Sequence, residues 1–147
     1  LLILDVDNTL IDYYKNLSDS VINWSKEMKG QGIKLYILSN TNDEEKVKKV
    51  AQKLNIPYKH FAMKPLKRGF KKIEKETQIQ AENIAVVGDQ IFTDVLGGNR
   101  SGMFTILVEP IDNKKDYWYT AWKRPIENKI KNKIKKETKE GKNKNVY

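Results

Sequence analysis

Five short apolar runs divide the chain: LLIL at 1–4, IKLYIL at 33–38, YKHFA at 58–62, IAVV at 84–87 and FTILV at 104–108. They are strand-length, rich in Ile, Val and Leu, and alternate little with polar residues, as strands buried on both faces of a parallel sheet do. Helical periodicity fills the gaps. Ser18–Lys29 offers Ser18 as a cap, puts Val21, Trp24 and Met28 on one face and stops at Gly30. Asp43–Leu54 lines up Val47, Val50, Ala51 and Leu54 behind Asn42 or Asp43 as cap, and Leu66–Thr77 lines up Leu66, Phe70, Ile73 and Thr77. A shorter crossover, Ile91–Ser101, ends in Gly102. This alternation predicts a doubly wound α/β fold around a five-stranded parallel sheet, with helices on both faces. No internal repeat is visible.

Composition narrows the chemistry. The chain has 147 residues, enough for one domain that buries roughly 70% of its unfolded surface. No apolar run approaches the roughly 18 residues of a membrane span. The first residues carry no basic lead and no small-residue cleavage site, so no signal peptide is expected. The chain starts in a strand and without Met, so a preceding segment is expected. There is no cysteine, which excludes disulfides and thiolate chemistry and fits a cytoplasmic protein. The single histidine, His60, excludes a multi-histidine metal site. The net charge of +9 is uneven: residues 123–147 hold 10 Lys/Arg against three Glu. The expected division is a core over 1–122 and a basic tail over 123–147.

In an open α/β sheet, ligands bind beyond the carboxyl ends of the strands. Here each of the first four strands is followed by a polar cluster: Asp5-Val6-Asp7-Asn8-Thr9, Ser39-Asn40-Thr41-Asn42, Met63-Lys64-Pro65, and Gly88-Asp89-Gln90 with Asp94 beyond. Alternation points Asp5 and Asp7 the same way, and two carboxylates that close repel unless a cation intervenes. With Asp89 and Asp94 they form an all-oxygen site suited to Mg2+. Ser39, Asn40, Lys64 and the backbone N–H groups of Asp7 to Thr9 are the donors that suit a phosphate. A carboxylate nucleophile, a second carboxylate to carry a proton, Mg2+ and a phosphate clamp together point to phosphoryl transfer through an aspartyl-phosphate.

DVDNT, SN, KP and GDQIFTD, in that order and at strand ends, resemble the four motifs of the haloacid dehalogenase (HAD) phosphatases. The Asn of DVDNT and the run GDQIFTDVLGGNRSGMFTILV resemble the capless subfamily IIIA, and within it the bacterial group related to mitochondrial phosphatidylglycerophosphate phosphatase. The resemblance implies Asp5 as nucleophile, Asp7 as general acid/base with its carbonyl on the metal, and Asp89 and Asp94 as metal residues. It also implies Ser39 with Asn40 as phosphate binders beside Thr9, and Lys64 as stabiliser of the phosphoryl charge. It implies strand order 5-4-1-2-3, and a neighbouring subunit over the pocket in many capless relatives. One helix fills the gap from Asp5 to Ser39 and another the gap from Ser39 to Lys64, so no cap domain fits at either place. An open pocket admits bulky or surface-bound phosphomonoesters, lipid-linked ones included.

Each motif alone has an ordinary reading. A lone DxD is a solvated turn, Ser39-Asn40 a turn or a helix cap, Lys64-Pro65 a helix start and Gly97-Gly98 a close-packing or turn feature. His60 reads as structural. The coincidence of polar clusters at four successive strand ends favours catalysis. The rivals are a capless phosphatase for a soluble sugar phosphate, nucleotide, phosphoprotein or nucleic-acid end, a phospho-acceptor signalling domain, and a lipid- or nucleic-acid-binding module with a dead site. In the tail, Trp118, Trp122, Ile126, Ile130 and Ile134 recur every four residues, interrupted by Pro125. They read either as a helix docked on the sheet or as an interfacial helix drawn to anionic membrane at about 1 kcal/mol per basic residue. Nucleic acid ranks last for this segment.

Overall fold

The structure, a computed structural model, describes residues 1–112 and the single position Asn132. The readings made for the tail, including its helical stripe and the boundary at 122, lie outside the described residues.

The elements follow in chain order: β1 (Leu2–Leu4), α1 (Asp19–Gly30), β2 (Leu35–Leu38), α2 (Glu44–Leu54), β3 (Tyr58–Lys59), α3 (Lys67–Thr77), β4 (Ala85–Gly88), a π-turn at Ile91–Val95 running into α4 (Leu96–Arg100), and β5 (Phe104–Leu107). All five strands are parallel, ordered β3-β2-β1-β4-β5. Read from the other edge this is the expected 5-4-1-2-3. β1 is central, with Leu4 opposite Ile37 on one side and Val87 on the other. One helix joins β1 to β2 and one joins β2 to β3, so the described residues carry no inserted cap.

The pleat distributes the core between two layers. Leu4, Leu35 and Ile37 pack with Val47, Val50, Ala51 and Leu54 of α2, while Val21, Trp24 and Met28 of α1 close that layer. Ile3, Tyr36, Leu38 and Val86 face the other way, against Phe70 and Ile73 of α3. Each of those two fully buried side chains is worth about 1.5–3 kcal/mol. Ser18 caps α1 by accepting from Val21 N, and Asp43 caps α2 by accepting from Lys46 N at 3.0 Å. At the end of α1, the left-handed turn is made by Gly32, not Gly30.

Gly97 and Gly98 are close-packing residues, as expected. A Cβ on Gly97 would stand 2.5 Å from Phe70 Cε2, and one on Gly98 would stand 2.6 Å from Thr105 Cγ2.

Two elements differ from the sequence expectation. β3 stops at Lys59 instead of running to Ala62, because Phe61 and Met63 take left-handed φ of 48° and 52°. Phe61 N–H donates to Thr41 O (2.9 Å) and Ala62 N–H to Ser39 O (3.0 Å), tying this loop to the end of β2. The fourth crossover begins as a π-turn, in which Val95 N–H reaches back to Gln90 O at 3.3 Å. Both departures lie where polar residues leave the sheet.

Candidate active site

The carboxyl ends of β1 and β4 bring three buried carboxylates together. One oxygen each from Asp5, Asp89 and Asp94 lies within 4.8 Å of the others. Lys64 Nζ is 2.6 Å from Asp5 Oδ1 and 2.6 Å from Asp94 Oδ1. All four residues are buried.

Local backbone chemistry explains each placement. After β1, Thr9, Leu10 and Ile11 N–H all converge on Val6 O, and Asn8 adopts φ 60° so that its N–H can donate to Ile11 O. This tight turn sets Asp5 and Asp7 at the strand end and hangs Thr9 Oγ1 3.5 Å from Asp89 Oδ1. The left-handed kinks after β3 deliver Lys64 inward, and Asn40 holds it there. Asn40 Oδ1 accepts from Lys64 N at 2.6 Å, and Asn40 Nδ2 donates to Lys64 O at 2.9 Å. Asp94 rides on the π-turn, its Oδ2 accepting from Gln90 N (3.2 Å) and Thr93 Oγ1 (3.4 Å). Ser39 is buried, with its Oγ accepting from Thr41 N at 3.2 Å.

Asp7 is the exception to the expected four-carboxylate cluster. Its carboxyl turns away to Lys46 of α2, whose Nζ lies 2.7 Å from Oδ1 and 2.9 Å from Oδ2. The buried ammonium competes successfully for it, where strand alternation alone puts it with Asp5. The donor set also differs from the expectation, because the Asn8 and Thr9 amides are engaged within their own turn. Asn40 places its Oδ1 and Nδ2 on the Lys64 backbone. His60 lies outside the cluster, its Nε2 3.4 Å from Glu44 Oε2.

The electrostatics are those of a cation site. Burial raises Asp94 to about 7; the Asp5 and Asp89 charges push the same way, and Lys64 opposes them. Burial would lower Lys64, but the Asp5 and Asp94 charges outweigh it and hold the ammonium above its ordinary range. Burial also raises Asp7, against the pull of Lys46. Among Asp5, Asp89, Asp94 and Lys64, three carboxyl groups face one ammonium. Three close carboxylates offering only oxygen fit a hard divalent cation, which would restore the balance.

Lys46 was missed at the sequence level, where it sits among the charges of EEKVKK and looks like a solvated residue. A signal was present. Position 46 lies four and eight residues before Val50 and Leu54, so it extends their core-facing stripe toward the strand ends.

The chain is similar to known proteins in sequence and in fold. The family model described as haloacid dehalogenase-like hydrolase matches residues 14–102, more than half of the chain. A Bacillus subtilis (strain 168) protein named "Probable phosphatase YqeG" is 41% identical over 130 residues, covering 88% of this chain and 74% of its own length. The Arabidopsis thaliana protein named "Phosphatidylglycerophosphate phosphatase 1, chloroplastic/mitochondrial" is 27% identical over 86 residues, covering 58% of this chain and 25% of that protein. Among solved structures, D,D-heptose 1.7-bisphosphate phosphatase from B. bronchiseptica, complexed with magnesium and phosphate, superposes with a TM-score of 0.59. It shares 15% identity over 72% of this chain and 79% of that one, so it bears on the fold alone.

Proposed function

The chain belongs to the haloacid dehalogenase-like hydrolases and is a phosphatase, and from that premise we propose that it hydrolyses phosphomonoesters through an aspartyl-phosphate on Asp5. The observation that carries this reading is the buried Asp5–Asp89–Asp94 cluster with Lys64 between two of its members. Asp5, Asp89 and Asp94, with the Asp7 carbonyl, would hold Mg2+. When bound, Mg2+ supplies charge neutralisation for the phosphoryl oxygens and keeps the nucleophile ionised.

The protein groups then divide the work. Asp5 attacks phosphorus, and the bond from phosphorus to the ester oxygen breaks. Asp7, whose burial favours the protonated form, gives its proton to the departing oxygen. In the second half, Asp7 takes a proton from water as that water's oxygen attacks phosphorus, which releases phosphate and frees Asp5. Lys64, held by Asn40 and positively charged, balances the charge gathered on the phosphoryl group. Ser39 and Thr9 are the remaining side-chain donors near the strand ends.

For the substrate, we infer a lipid-linked phosphomonoester such as phosphatidylglycerophosphate, met at the inner face of a membrane with the basic segment 123–147 assisting. Three things support this: the absence of an inserted cap in the described residues, the name of the Arabidopsis relative, and the tail's charge. No helix among the described residues is long and apolar enough to cross a membrane. The test is phosphate release, with Mg2+ and with EDTA, from phosphatidylglycerophosphate in mixed micelles beside a panel of soluble phosphomonoesters. Mg2+-dependent release favouring the lipid, weakened by deleting 123–147, supports the reading. Equal or better turnover of soluble esters keeps the chemistry and removes the lipid.

A further inference from the structure

Lys46 is a lysine in an expensive place. Its side chain is 6% exposed, and its ammonium touches both oxygens of a carboxyl that is itself only 24% exposed. A buried ion pair is poor evidence for stability, because desolvating two charges offsets most of their attraction. What the pair does supply is geometry. One Nζ at 2.7 and 2.9 Å from the two oxygens fixes the rotation of the Asp7 carboxyl. Lys46 is itself anchored: its N–H donates to the α2 cap Asp43, and Asp43 Oδ2 accepts from Lys15 at 3.1 Å, a residue of the loop that follows Asp12. The carboxyl of Asp7 is therefore oriented by the first turn of α2 and separated from the cluster of Asp5, Asp89 and Asp94.

We propose that Lys46 is the positioning residue for Asp7, setting its carboxyl to deliver the proton to the leaving oxygen; this rests on the aspartyl-phosphate reading above. Lys46 acts through Asp7, so its loss is felt where a proton is needed and not where it is dispensable.

The leaving group separates these cases. p-Nitrophenolate departs as a stable anion and needs no proton, whereas the alkoxide of benzyl phosphate, an alkyl ester of similar size, does. Values of kcat/KM for the two esters, with Mg2+, are compared for the wild type, Lys46→Met, Lys46→Arg, Asp7→Asn and Asp5→Asn, with circular dichroism to confirm folding. Lys46→Met is expected to lower kcat/KM for benzyl phosphate about ten-fold or more beyond its effect on p-nitrophenyl phosphate. The same skew is expected for Asp7→Asn, with partial recovery in Lys46→Arg. If Asp7→Asn shows the skew and Lys46→Met lowers both esters equally, Lys46 is structural or a plain phosphate binder, and the proposal falls while the Asp7 role stands. If Asp5→Asn retains activity, the aspartyl-phosphate reading fails; if Asp7→Asn shows no skew, the proton-donor role of Asp7 fails while the intermediate on Asp5 stands; either result takes the proposal with it.

Discussion

Gly88 ends β4 beside the candidate cation site, and a single methyl there tests how tightly the site is built. A Cβ at position 88 would stand 2.6 Å from Asp94 Cβ and nearer still to its carboxyl carbon and Oδ2. Ordinary carbon–carbon contact is about 3.5–4.0 Å, so Asp94 must retreat by roughly 1 Å. It has little room, being 1% exposed, with Oδ1 on Lys64 at 2.6 Å and Oδ2 on Gln90 N at 3.2 Å. Retreat breaks one or both of those bonds and opens the cluster shared with Asp5 and Asp89. A displacement of that size at a reacting centre costs on the order of 10²-fold in rate. Overpacking of this kind costs about 1–3 kcal/mol of stability. The assay is phosphate release from p-nitrophenyl phosphate by Gly88→Ala across a Mg2+ titration, with thermal unfolding alongside. A Gly88→Ala protein with wild-type kcat and wild-type Mg2+ dependence would refute the reasoning, because it would mean that Asp94 need not stay where it is.

Gly98→Ala is the matching control. Its methyl meets Thr105 Cγ2 at 2.6 Å and Val86 Cγ2 at 3.0 Å, with no site residue among its three nearest neighbours, so Tm should fall while the Mg2+ midpoint of activity stays put. The pH dependence of the metal-free protein follows from Asp94, whose folded-state value lies near 7 and above its ordinary one. The stability it contributes is fully present below the ordinary carboxylate range and is lost as pH rises through about 7. Thermal unfolding in EDTA should therefore show a declining Tm over that window, flatter in Asp94→Asn and lifted at the alkaline end by Mg2+. A slope of equal size in Asp94→Asn would assign the effect to other groups.

The sheet was legible because its evidence is redundant. Apolar runs such as IAVV and FTILV admit few readings, and the helices between them carry caps that the backbone uses, Ser18 and Asp43 among them. The cluster of Asp5, Asp89 and Asp94 was legible for a related reason: the ends of parallel strands converge once the winding is known. Other features left no such trace. Nothing in the residue types of Phe61 or Met63 announces a left-handed backbone, yet those two kinks shorten β3 and carry Lys64 inward. The Asp7 carboxyl followed a partner from a different element, Lys46, which strand alternation cannot foresee. Asn40 reads as a ligand-facing amide in sequence, and nothing there announces that it also bonds the Lys64 backbone through Oδ1 and Nδ2.

The central claim is a covalent intermediate on Asp5, and the most direct measurement is to trap it. The enzyme is mixed with p-nitrophenyl phosphate and Mg2+, quenched in acid within one turnover, reduced with borohydride and digested with trypsin. The tryptic peptide that ends at Lys15 contains Asp5, Asp7 and Asp12, which fragmentation in a mass spectrometer distinguishes. The expected result is conversion of Asp5 alone to homoserine, dependent on substrate and Mg2+ and absent in Asp5→Asn. Turnover without any such conversion, or with conversion at Asp7 or Asp12, would contradict the mechanism.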